Sequence, residues 1–179
     1  MVRGLIKLAG IAAVAAMLGA CGFQPLYGEH PGGARTDTEL AQVQVVAIDN
    51  GRTGHDVYNA LIDRLSPNGE PASPDYQLRV DLRERREGVA IERDASITRY
   101  NYQLLAHYSL VDMRSGNVIH EGDSRSIASY NVVDSQFSTL MAQRDAEERA
   151  ATELSEDIKL RLAIFFDRQL SSGSGASGS

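Results

Sequence analysis

Cys21 is the residue for which the sequence most clearly indicates a specific chemistry, and it is the only cysteine in the 179 residues. It directly follows Leu18-Gly19-Ala20, which is one apolar residue and two small ones. Small side chains let a backbone lie extended in the groove of a peptidase, and a cysteine thiolate is a nucleophile that can accept a diacylglyceryl group. The pattern is typical of a lipobox. We therefore predict cleavage between Ala20 and Cys21, with diacylglycerol and an N-acyl chain attached to Cys21.

The residues before this cysteine have the organisation of a signal peptide, which we assign to residues 1–20. Arg3 and Lys7 give a short cationic start, and the uncharged apolar run Leu8–Leu18 follows. This run is too short to span a bilayer core, but it has the length of a signal-peptide core. The alternatives are an ordinary signal peptide with an unrelated cysteine and a buried N-terminal helix. Charge, length, small residues and cysteine together favour the lipobox.

Five arginines surround the segment between the second and third predicted strands, in a chain that is otherwise acidic. They are Arg83, Arg85, Arg86, Arg93 and Arg99. Because a planar guanidinium group binds phosphate or carboxylate through paired hydrogen bonds, the cluster is a candidate contact for an anionic glycolipid. The alternative is that neighbouring acids neutralise these arginines. Those acids are Glu84, Glu87, Glu92 and Asp94.

No set of residues suited to catalysis or metal binding is evident in the sequence. The four histidines are scattered, at His30, His55, His107 and His120. They form no H-x₃-H pair or HExxH motif, and the chain has no GxSxG or Walker motif. The acidic residues of 145–153 are typical of a solvated helix face. We therefore expect a protein that is not an enzyme and that has no metal site and no cofactor apart from the lipid on Cys21.

The composition limits the partners that the mature chain can have. Removal of residues 1–20 shortens the chain from 179 to 159 residues and, because two positive charges go with them, takes the formal net charge from −6 to −8. We expect no nucleic-acid partner, since an acidic chain without a basic tract is repelled by phosphates. With Cys21 lipidated, no thiol remains for a disulfide, so that packing must provide the stability.

Residues 40–170 are predicted to form a single domain between two flexible segments. Residues 21–39, rich in glycine and proline, are predicted to be a flexible tether, and the Ser/Gly/Ala residues 171–179 a disordered tail. Alternating and helix-spaced apolar residues predict the elements of the domain. These are strand 40–48, helix 53–65, strands 76–83, 100–111 and 118–130, and helix 139–170. The charged residues 84–88 fit either a loop or an extension of the second strand.

The order of these elements, β-α-β-β-β-α, indicates the fold class. Each strand has one apolar face and each helix one apolar stripe. The economical arrangement is an α+β two-layer sandwich, in which two helices pack on one face of a four-stranded mixed β-sheet. The first β-α-β crossover allows parallel pairing, whereas the later strands are joined by short connections and are expected to be antiparallel.

The residues that follow Cys21 resemble the start of the mature LptE family of lipopolysaccharide-assembly lipoproteins. They read Gly22-Phe23-Gln24-Pro25-Leu26-Tyr27-Gly28, and further similar segments come in the family's order. Those segments are Tyr108–Asp112 with Gly116, Tyr130-Asn131, Phe137 and Arg144–Glu147. The resemblance covers nearly all of residues 21–170, and the N-terminal motif is its most specific part.

This resemblance implies an outer-membrane lipoprotein, anchored by its lipid on the periplasmic side. The chain would lodge inside the β-barrel partner LptD as a plug and assembly aid, and would contact lipopolysaccharide. Only Cys21 carries over as a matched functional residue, so the arginine cluster is our own interpretation. The alternative is an unrelated periplasmic lipoprotein that acts as a ligand-binding or envelope scaffold module. A lipid-anchored hydrolase is a further alternative, for which no catalytic residues are found.

Overall fold

The computed structural model describes residues 33–91 and 97–175. In chain order the elements are helix α1 (Gly33–Ala41), strand β1 (Val43–Val45), helix α2 (Gly51–Leu65), strands β2 (Tyr76–Ile91), β3 (Ile97–Asp112) and β4 (Val118–Asn131), and helix α3 (Gln136–Gly175). Residues 1–32, which include Ala20 and Cys21, lie outside the described residues, as do Arg93 and residues 176–179. The predictions made for those positions stay predictions.

The four strands form one mixed sheet in the order β1-β2-β3-β4. β1 runs parallel to β2 after the α2 crossover, with Val43 beside Tyr76. β2, β3 and β4 are antiparallel neighbours, so that Leu78 of β2 lies beside Leu110 of β3. The predicted α+β class and mixed four-stranded sheet are confirmed. The described residues contain three helices rather than the two predicted.

The core lies between one face of this sheet and the helices. Alternate strand residues share a face, and Leu78, Leu104 and Leu110 are fully buried on the covered one. Helix α3 packs against β4, β3 and α2. The helices contribute fully buried residues at helical spacing: Val57 and Leu61 in α2, and Leu154, Ile158 and Leu162 in α3. Burial of each such aliphatic side chain contributes about 1.5–3 kcal/mol, so this layer is the main source of stability.

Helix α1 replaces the last part of the predicted tether, and the prediction of a flexible segment is wrong for residues 33–39. Thr36 and Leu40 are four residues apart, lie on one face of the helix and are buried. The Tyr76 hydroxyl donates a 2.9 Å hydrogen bond to Glu39. The sequence did not indicate this helix for two reasons. Most of the glycines and prolines that suggested a tether come before Gly33. The buried contact of α1, from Thr36 to Leu40, is only one turn long.

Strand β1 has three residues, which is shorter than the predicted strand over 40–48. Helix α1 ends at Ala41, and the chain leaves the sheet after Val46, whose N–H donates to the Leu78 carbonyl at 2.9 Å. Gly51 then begins α2 with a φ of +54°, a conformation that favours glycine. Because β1 pairs only with Tyr76–Leu78, no described strand covers that edge of β2 beyond Leu78.

Strands β2 and β3 form a hairpin that is longer than the sequence pattern predicts. The charged residues 84–88 extend β2 and do not form a loop. Gly88 lies beside Tyr100 in the ladder, and Gln103 donates a 3.1 Å hydrogen bond to Glu87 across the two strands. Pairing of the backbone groups compensates here for the absence of apolar side chains.

The connection between β3 and β4 is short, as predicted, and forms a turn. One Asp112 carboxylate oxygen accepts the N–H groups of Arg114 and Ser115, each at 2.8 Å. The Ser115 N–H is the main cause of an Asp112 pKa below the ordinary value, because it stabilises the ionised carboxylate. Gly116 has a φ of +71°, which completes the turn without steric strain.

Helix α3 extends past both ends of the predicted helix 139–170. At its start, the Ser138 N–H donates to the Ser135 hydroxyl at 3.3 Å, which is a typical N-cap contact. At its end, the prediction of a disordered tail is wrong for residues 171–175, which continue the helix. The Ser171 and Ser172 hydroxyls donate to the carbonyls of Asp167 and Arg168. These bonds keep serine compatible with a helix that is already nucleated.

Candidate functional site

The face of the sheet opposite the helices is polar and exposed, and we call it the open face. Alternation places the odd-numbered residues of β2, β3 and β4 on it. Its exposed members include Arg79, Asp81, Arg83, Arg85, Glu87, Arg99, His107, Glu121, Asp123, Arg125 and Ile127. Most buried residues of the same strands are even-numbered and meet the helices, although the odd-numbered Val111 is also buried. The open face is therefore a charged surface that is accessible to a ligand.

Three arginines come together near the middle of the open face. Arg83 and Arg85 are two residues apart in β2, which places them about 7 Å from each other. Arg83 lies beside Leu105 of β3, and Leu105 lies beside Arg125 of β4. In the neighbouring row across the sheet, Arg85 of β2 lies beside Gln103 of β3. Gln103 in turn lies beside the exposed Ile127 of β4. We call Arg83, Arg85 and Arg125, with Leu105 and Ile127, the arginine patch.

The sequence did not identify Arg125 as part of this group. It is far from Arg83 along the chain, and only the register across β3 brings the two side chains onto one face. One signal was present in the sequence, because Arg125 lies between Ser124 and Ser126 in a strand whose opposite face is predicted to be buried. That alternation assigns Arg125 to the exposed face without indicating its neighbours.

The arginines of the patch have no anionic partner among the described residues. Glu84, which could have paired with them, accepts a 3.1 Å hydrogen bond from Asn50 instead. Glu87 accepts its hydrogen bond from Gln103. No ion pair within residues 33–91 and 97–175 involves Arg83, Arg85 or Arg125. Of the other two acids named above, Glu92 and Asp94 lie outside the described residues. These guanidinium groups are free to bind an anion.

Arg86 lies on the opposite face of the sheet from the patch. Its guanidinium donates a 3.2 Å hydrogen bond to Glu147 of α3. Glu147 is only 3% exposed and also pairs with Arg52 at the start of α2, while Gln143 donates to it at 2.7 Å. Arg86 therefore joins a charge cluster that ties β2, α2 and α3 together, and it is separated from the other arginines of the predicted group.

Arg99 belongs to the open face but lies apart from the patch. Arg99 lies beside Asn131, the last residue of β4. Within β3, Arg99 is four residues before Gln103. Four residues of extended strand correspond to about 13 Å. The predicted cluster of five thus divides into three parts. Arg83 and Arg85 stay together, Arg86 and Arg99 are each separate, and Arg93 lies outside the described residues.

The described histidines occupy three different environments. His55 is exposed on α2. His107 lies on the open face, where its Nδ1 is 3.0 Å from a carboxylate oxygen of Asp123. His120 stacks on Phe165 with ring centroids 4.6 Å apart, and its Nε2 atom is buried without a hydrogen-bond partner among the described residues. His30 lies outside the described residues.

The environment of His120 disfavours its protonated form. Burial is the main reason why the His120 pKa lies below its ordinary value, and the positive charge of Arg161 acts in the same direction. The negative charge of Glu121 opposes them. The Tyr108 ring also neighbours His120, with a centroid distance of 5.9 Å. These surroundings favour the neutral form of the partly buried ring.

A groove of about 470 Å³ runs along the outer edge of β4 beside α3, and its walls include Asp123, Arg125, Asp157 and Arg161. Asp157 accepts hydrogen bonds from the Ser124 hydroxyl at 2.6 Å and from Arg161 at 2.7 Å. Burial opposes ionisation of Asp157, but these two hydrogen bonds outweigh it, so that its pKa is lowered. The carboxylate is thus committed to neighbouring side chains.

The arrangement of side chains supports binding chemistry. Within residues 33–91 and 97–175, no three His, Cys, Asp or Glu side chains are grouped closely enough to hold a metal ion. None of the helices in the same ranges is both long and apolar enough to cross a membrane. The open face offers ionic contacts from the arginine patch next to two apolar side chains, which suits an anionic, amphipathic ligand.

Similarity to known structures supports the fold. A protein from Caulobacter crescentus CB15 described as a lipoprotein matches with a TM-score of 0.62 and 24% identity, over 74% of this chain and 96% of the other. Lipoprotein B from Nitrosomonas europaea matches with a TM-score of 0.53 and 10% identity, over 73% and 86%. A minor lipoprotein from Acinetobacter baumannii matches with a TM-score of 0.51 and 18% identity, over 68% and 88%.

Similarity in sequence supports the family. An uncharacterized protein of Rickettsia prowazekii (strain Madrid E) is 23% identical over 155 residues, which are 86% of this chain and 93% of that protein. The family model described as LptE, lipopolysaccharide-assembly, matches residues 40–162, which include all four strands and most of α3. The chain therefore belongs to the LptE family, the non-enzymatic lipopolysaccharide-assembly lipoproteins of the cell envelope.

Proposed function

We propose that this protein is the lipid-anchored subunit of the outer-membrane complex that assembles lipopolysaccharide. In this function it lodges in the LptD β-barrel, assists the assembly of that barrel and contacts lipopolysaccharide. The observation that carries the proposal is the family match over residues 40–162. The partner and the membrane come from the family resemblance, and the following observations support them.

The distribution of polar groups suits a subunit that lies inside a barrel. The lumen of an outer-membrane barrel is polar, so a protein that fills it needs a folded core and a hydrophilic exterior. Here the apolar residues of the sheet are buried under α2 and α3, while the open face is charged. The formal net charge of −6 for the whole chain agrees with such an exterior.

The arginine patch supports contact with lipopolysaccharide, whose lipid portion combines phosphate groups with acyl chains. Arg83, Arg85 and Arg125 provide unpaired guanidinium groups, which bind phosphate through paired hydrogen bonds. Leu105 and Ile127 lie between or beside them and offer apolar contact. Arg99 remains an additional candidate contact near the end of the same face. Arg86 is not a candidate, because Glu147 binds it on the covered face.

Cys21 provides the membrane attachment in this proposal. A single acyl chain holds a protein only marginally, whereas a diacylglyceryl group with an additional N-acyl chain gives durable anchoring. Mass spectrometry of the protein extracted from membranes should find a lipid-modified Cys21 at the N-terminus and no residues 1–20. An intact Met1 or an unmodified Cys21 would contradict the anchor.

The decisive experiment is co-purification with the barrel. The mature lipidated protein, tagged at its C-terminus, is extracted from native membranes in mild detergent and isolated. We expect LptD to be recovered in a one-to-one ratio. Recovery of the tagged protein alone, from an extract in which the barrel is intact, would overturn the proposal. It would instead favour an envelope scaffold or ligand-binding lipoprotein.

A further inference from the structure

The outer edge of β4 has backbone groups with no described strand beside them. β4 is the last strand in the sheet order, and it pairs with β3. The Leu78 carbonyl of β2 points toward β1, because it accepts the Val46 N–H at 2.9 Å. Leu110 of β3, which lies beside Leu78, therefore directs its own backbone groups to His120 of β4. Because these directions alternate along a strand, the odd-numbered residues of β4 point their N–H and C=O groups outward.

A side chain of α3 agrees with this assignment. The Arg149 guanidinium donates a 3.2 Å hydrogen bond to the carbonyl of the odd-numbered Ser129. None of the hydrogen bonds found within residues 33–91 and 97–175 reaches the outward groups of the odd-numbered residues 121–127. Edge groups of this kind can pair with a further strand, and main-chain hydrogen bonds then hold the added strand.

The space beside the middle of this edge is open. The groove of about 470 Å³ lies here, and Asp157 and Arg161 form its wall on the side of α3. Leu160 and Ile164, which follow these two residues by three positions, lie on the adjoining stripe of the helix and are 58% and 43% exposed. A strand added to β4 would therefore have room at the edge, with apolar side chains of α3 available beside it.

The charges along the edge are complementary to themselves, which favours a second copy of the chain as the occupant. Asp123 and Arg125 are adjacent odd-numbered residues, and both are exposed. When two β4 strands pair antiparallel about Ser124, Asp123 of each copy lies opposite Arg125 of the other. One register thus forms two ion pairs. A register centred on Arg125 would instead place like charges opposite each other, which is unfavourable.

The backbone is compatible with the same register. Centring on Ser124 places odd-numbered residues opposite odd-numbered ones, so that outward groups meet outward groups. The pairing extends to Glu121 opposite Ile127, which brings no like charges together. Each opposed pair exchanges two bonds, so residues 121–127 of both copies form about eight interstrand hydrogen bonds. Arg149 marks the end of the pairing, because it already occupies the Ser129 carbonyl.

We infer that the outer edge of β4 pairs with the same edge of a second copy of this chain, in an antiparallel register centred on Ser124. Both copies use the same surface, so the contact closes on itself and ends at a dimer. The inference goes beyond the proposed function and does not depend on it. Because the proposed complex with the barrel contains one copy, the dimer is a state of the protein outside that complex. In the dimer Arg125 binds Asp123 of the second copy, so it is available to a ligand only after separation.

Exchange of the two charges tests the register in the mature lipidated protein, purified in detergent without the barrel. Sedimentation equilibrium gives the dissociation constant of the dimer. We expect Asp123→Arg and Arg125→Asp each to weaken the dimer about tenfold, because each places like charges opposite each other twice. The double variant Asp123→Arg/Arg125→Asp should restore it, since both ion pairs form again with the signs reversed.

The control for this exchange is Glu121→Arg, which makes the same change in charge opposite the uncharged Ile127. It should change the dissociation constant less than about twofold. A wild-type protein that stays monomeric at all concentrations would overturn the inference. Equal association of all variants would also overturn it, because the contact would then come from the lipid anchors or from another surface.

Disulfide formation identifies the opposed residues directly. Asp123→Cys and Arg125→Cys are prepared as separate lipidated variants, each with one free thiol once Cys21 carries its lipid. The mixed dimer keeps one ion pair and places the two new cysteines opposite each other, with Cα atoms about 5.5 Å apart. In a dimer of either variant alone the cysteines are diagonal neighbours about 7–8 Å apart, which is too far for a disulfide.

We therefore expect mild oxidation to yield a disulfide-linked dimer from the mixture and not from either variant alone. Mass spectrometry of the linked peptides identifies the bond. Absence of the linked dimer from the mixture would overturn the inference, and so would equal yields from the mixture and from each variant alone. Co-purification of the wild-type protein with the barrel is decided separately, so the proposed function stands or fails independently of this result.

Discussion

Arg83 and Arg125 lie on either side of Leu105 in one row across three antiparallel strands. Neighbouring strands are about 4.8 Å apart, so the two backbones are separated by about 10 Å. Both guanidinium groups are exposed, and neither has an anionic partner among the described residues. Two unpaired cations at this separation would suit two anionic groups of one ligand, as the proposed contact with lipopolysaccharide requires.

Charge reversal in the arginine patch should weaken lipopolysaccharide binding. We expect Arg83→Glu and Arg125→Glu each to lower the affinity for purified lipopolysaccharide about tenfold, because each loses a charge-assisted contact. Arg114→Glu, at the β3–β4 turn, makes the same change in charge away from the patch and should have little effect. Binding is measured by titration calorimetry at low and high salt. Unchanged affinity of both patch variants would exclude the patch as the contact.

The charge cluster that Glu147 forms with Arg52 and Arg86 should stabilise the fold independently of ligand binding. Glu147→Ala should lower the free energy of unfolding by about 2–3 kcal/mol, because it removes the buried partner of Arg52 and Arg86. The loss is smaller than for a fully buried pair, since both arginines are about half exposed and regain water.

Arg86→Ala is the companion variant for Glu147. It should cost less stability than Glu147→Ala, because Arg52 and Gln143 remain bound to the carboxylate. It should also leave lipopolysaccharide affinity unchanged, since Arg86 lies on the covered face. Urea denaturation gives both stabilities. A large loss of affinity in a folded Arg86→Ala protein would contradict the separation of Arg86 from the patch.

His120 predicts a decrease in stability in mildly acidic solution. Its pKa is lowered in the folded protein by burial and by Arg161, so the unfolded chain binds a proton more readily. Stability contributed by neutral His120 is therefore present above the ordinary histidine pKa of about 6.5 and is lost as the pH falls toward the folded-state pKa. The melting temperature is measured between about pH 7.5 and pH 5.

A phenylalanine substitution isolates the effect of His120. His120→Phe keeps an aromatic ring against Phe165 and Tyr108 but does not titrate. We expect it to reduce the loss of stability at acidic pH. His55→Phe, at an exposed position of α2, should leave the pH dependence as it is in the wild type. Identical pH profiles for the wild type and His120→Phe would show that His120 does not cause the decrease.

Replacement of Gly54 by alanine should lower the free energy of unfolding, although helix propensity alone predicts that it would raise it. Alanine usually stabilises a helix relative to glycine by about 1 kcal/mol. A Cβ atom at Gly54 would lie 2.5 Å from the Ile48 carbonyl oxygen, in the backbone that leads from β1 into α2. We therefore expect Gly54→Ala to lower the free energy of unfolding by about 1–3 kcal/mol. Asn59→Ala, on the exposed side of α2, should be neutral or stabilising, and a stabilising Gly54→Ala would contradict the close approach.

The sequence predicted those elements of the fold in which apolar periodicity is long. The alternation from Tyr76 to Arg83 and from Tyr100 to Val111 identified β2 and β3, and helical spacing identified most of α2 and α3. Helix α1 was missed because one turn of contact, through Thr36 and Leu40, gives too short a pattern. The end of α3 was missed because a Ser/Gly/Ala composition does not reveal that the Ser171 and Ser172 hydroxyls bond to helix carbonyls.

The candidate site was predicted only in part, because its arrangement depends on register. Arg83 and Arg85 were predicted as members of one cluster, and the extension of β2 places both on the open face. Local sequence does not reveal that Arg86 meets Glu147, nor that Arg125 lies two strands from Arg83. Both relationships are contacts between segments distant in the chain. The lipobox pattern indicated Cys21, which lies outside the described residues and stays a prediction.

The short β1 strand leaves most of one edge of β2 without a neighbouring strand among residues 33–91 and 97–175, and this has a consequence for solubility. An unpaired strand edge can recruit another chain and start fibrillar association. Beyond Leu78 this edge carries a dense series of charges, including Arg79, Asp81, Arg83 and Glu84. A foreign strand would have to align its own side chains beside these charges. The residues that make β2 a candidate ligand surface thereby also protect the protein against self-aggregation while it awaits its partner.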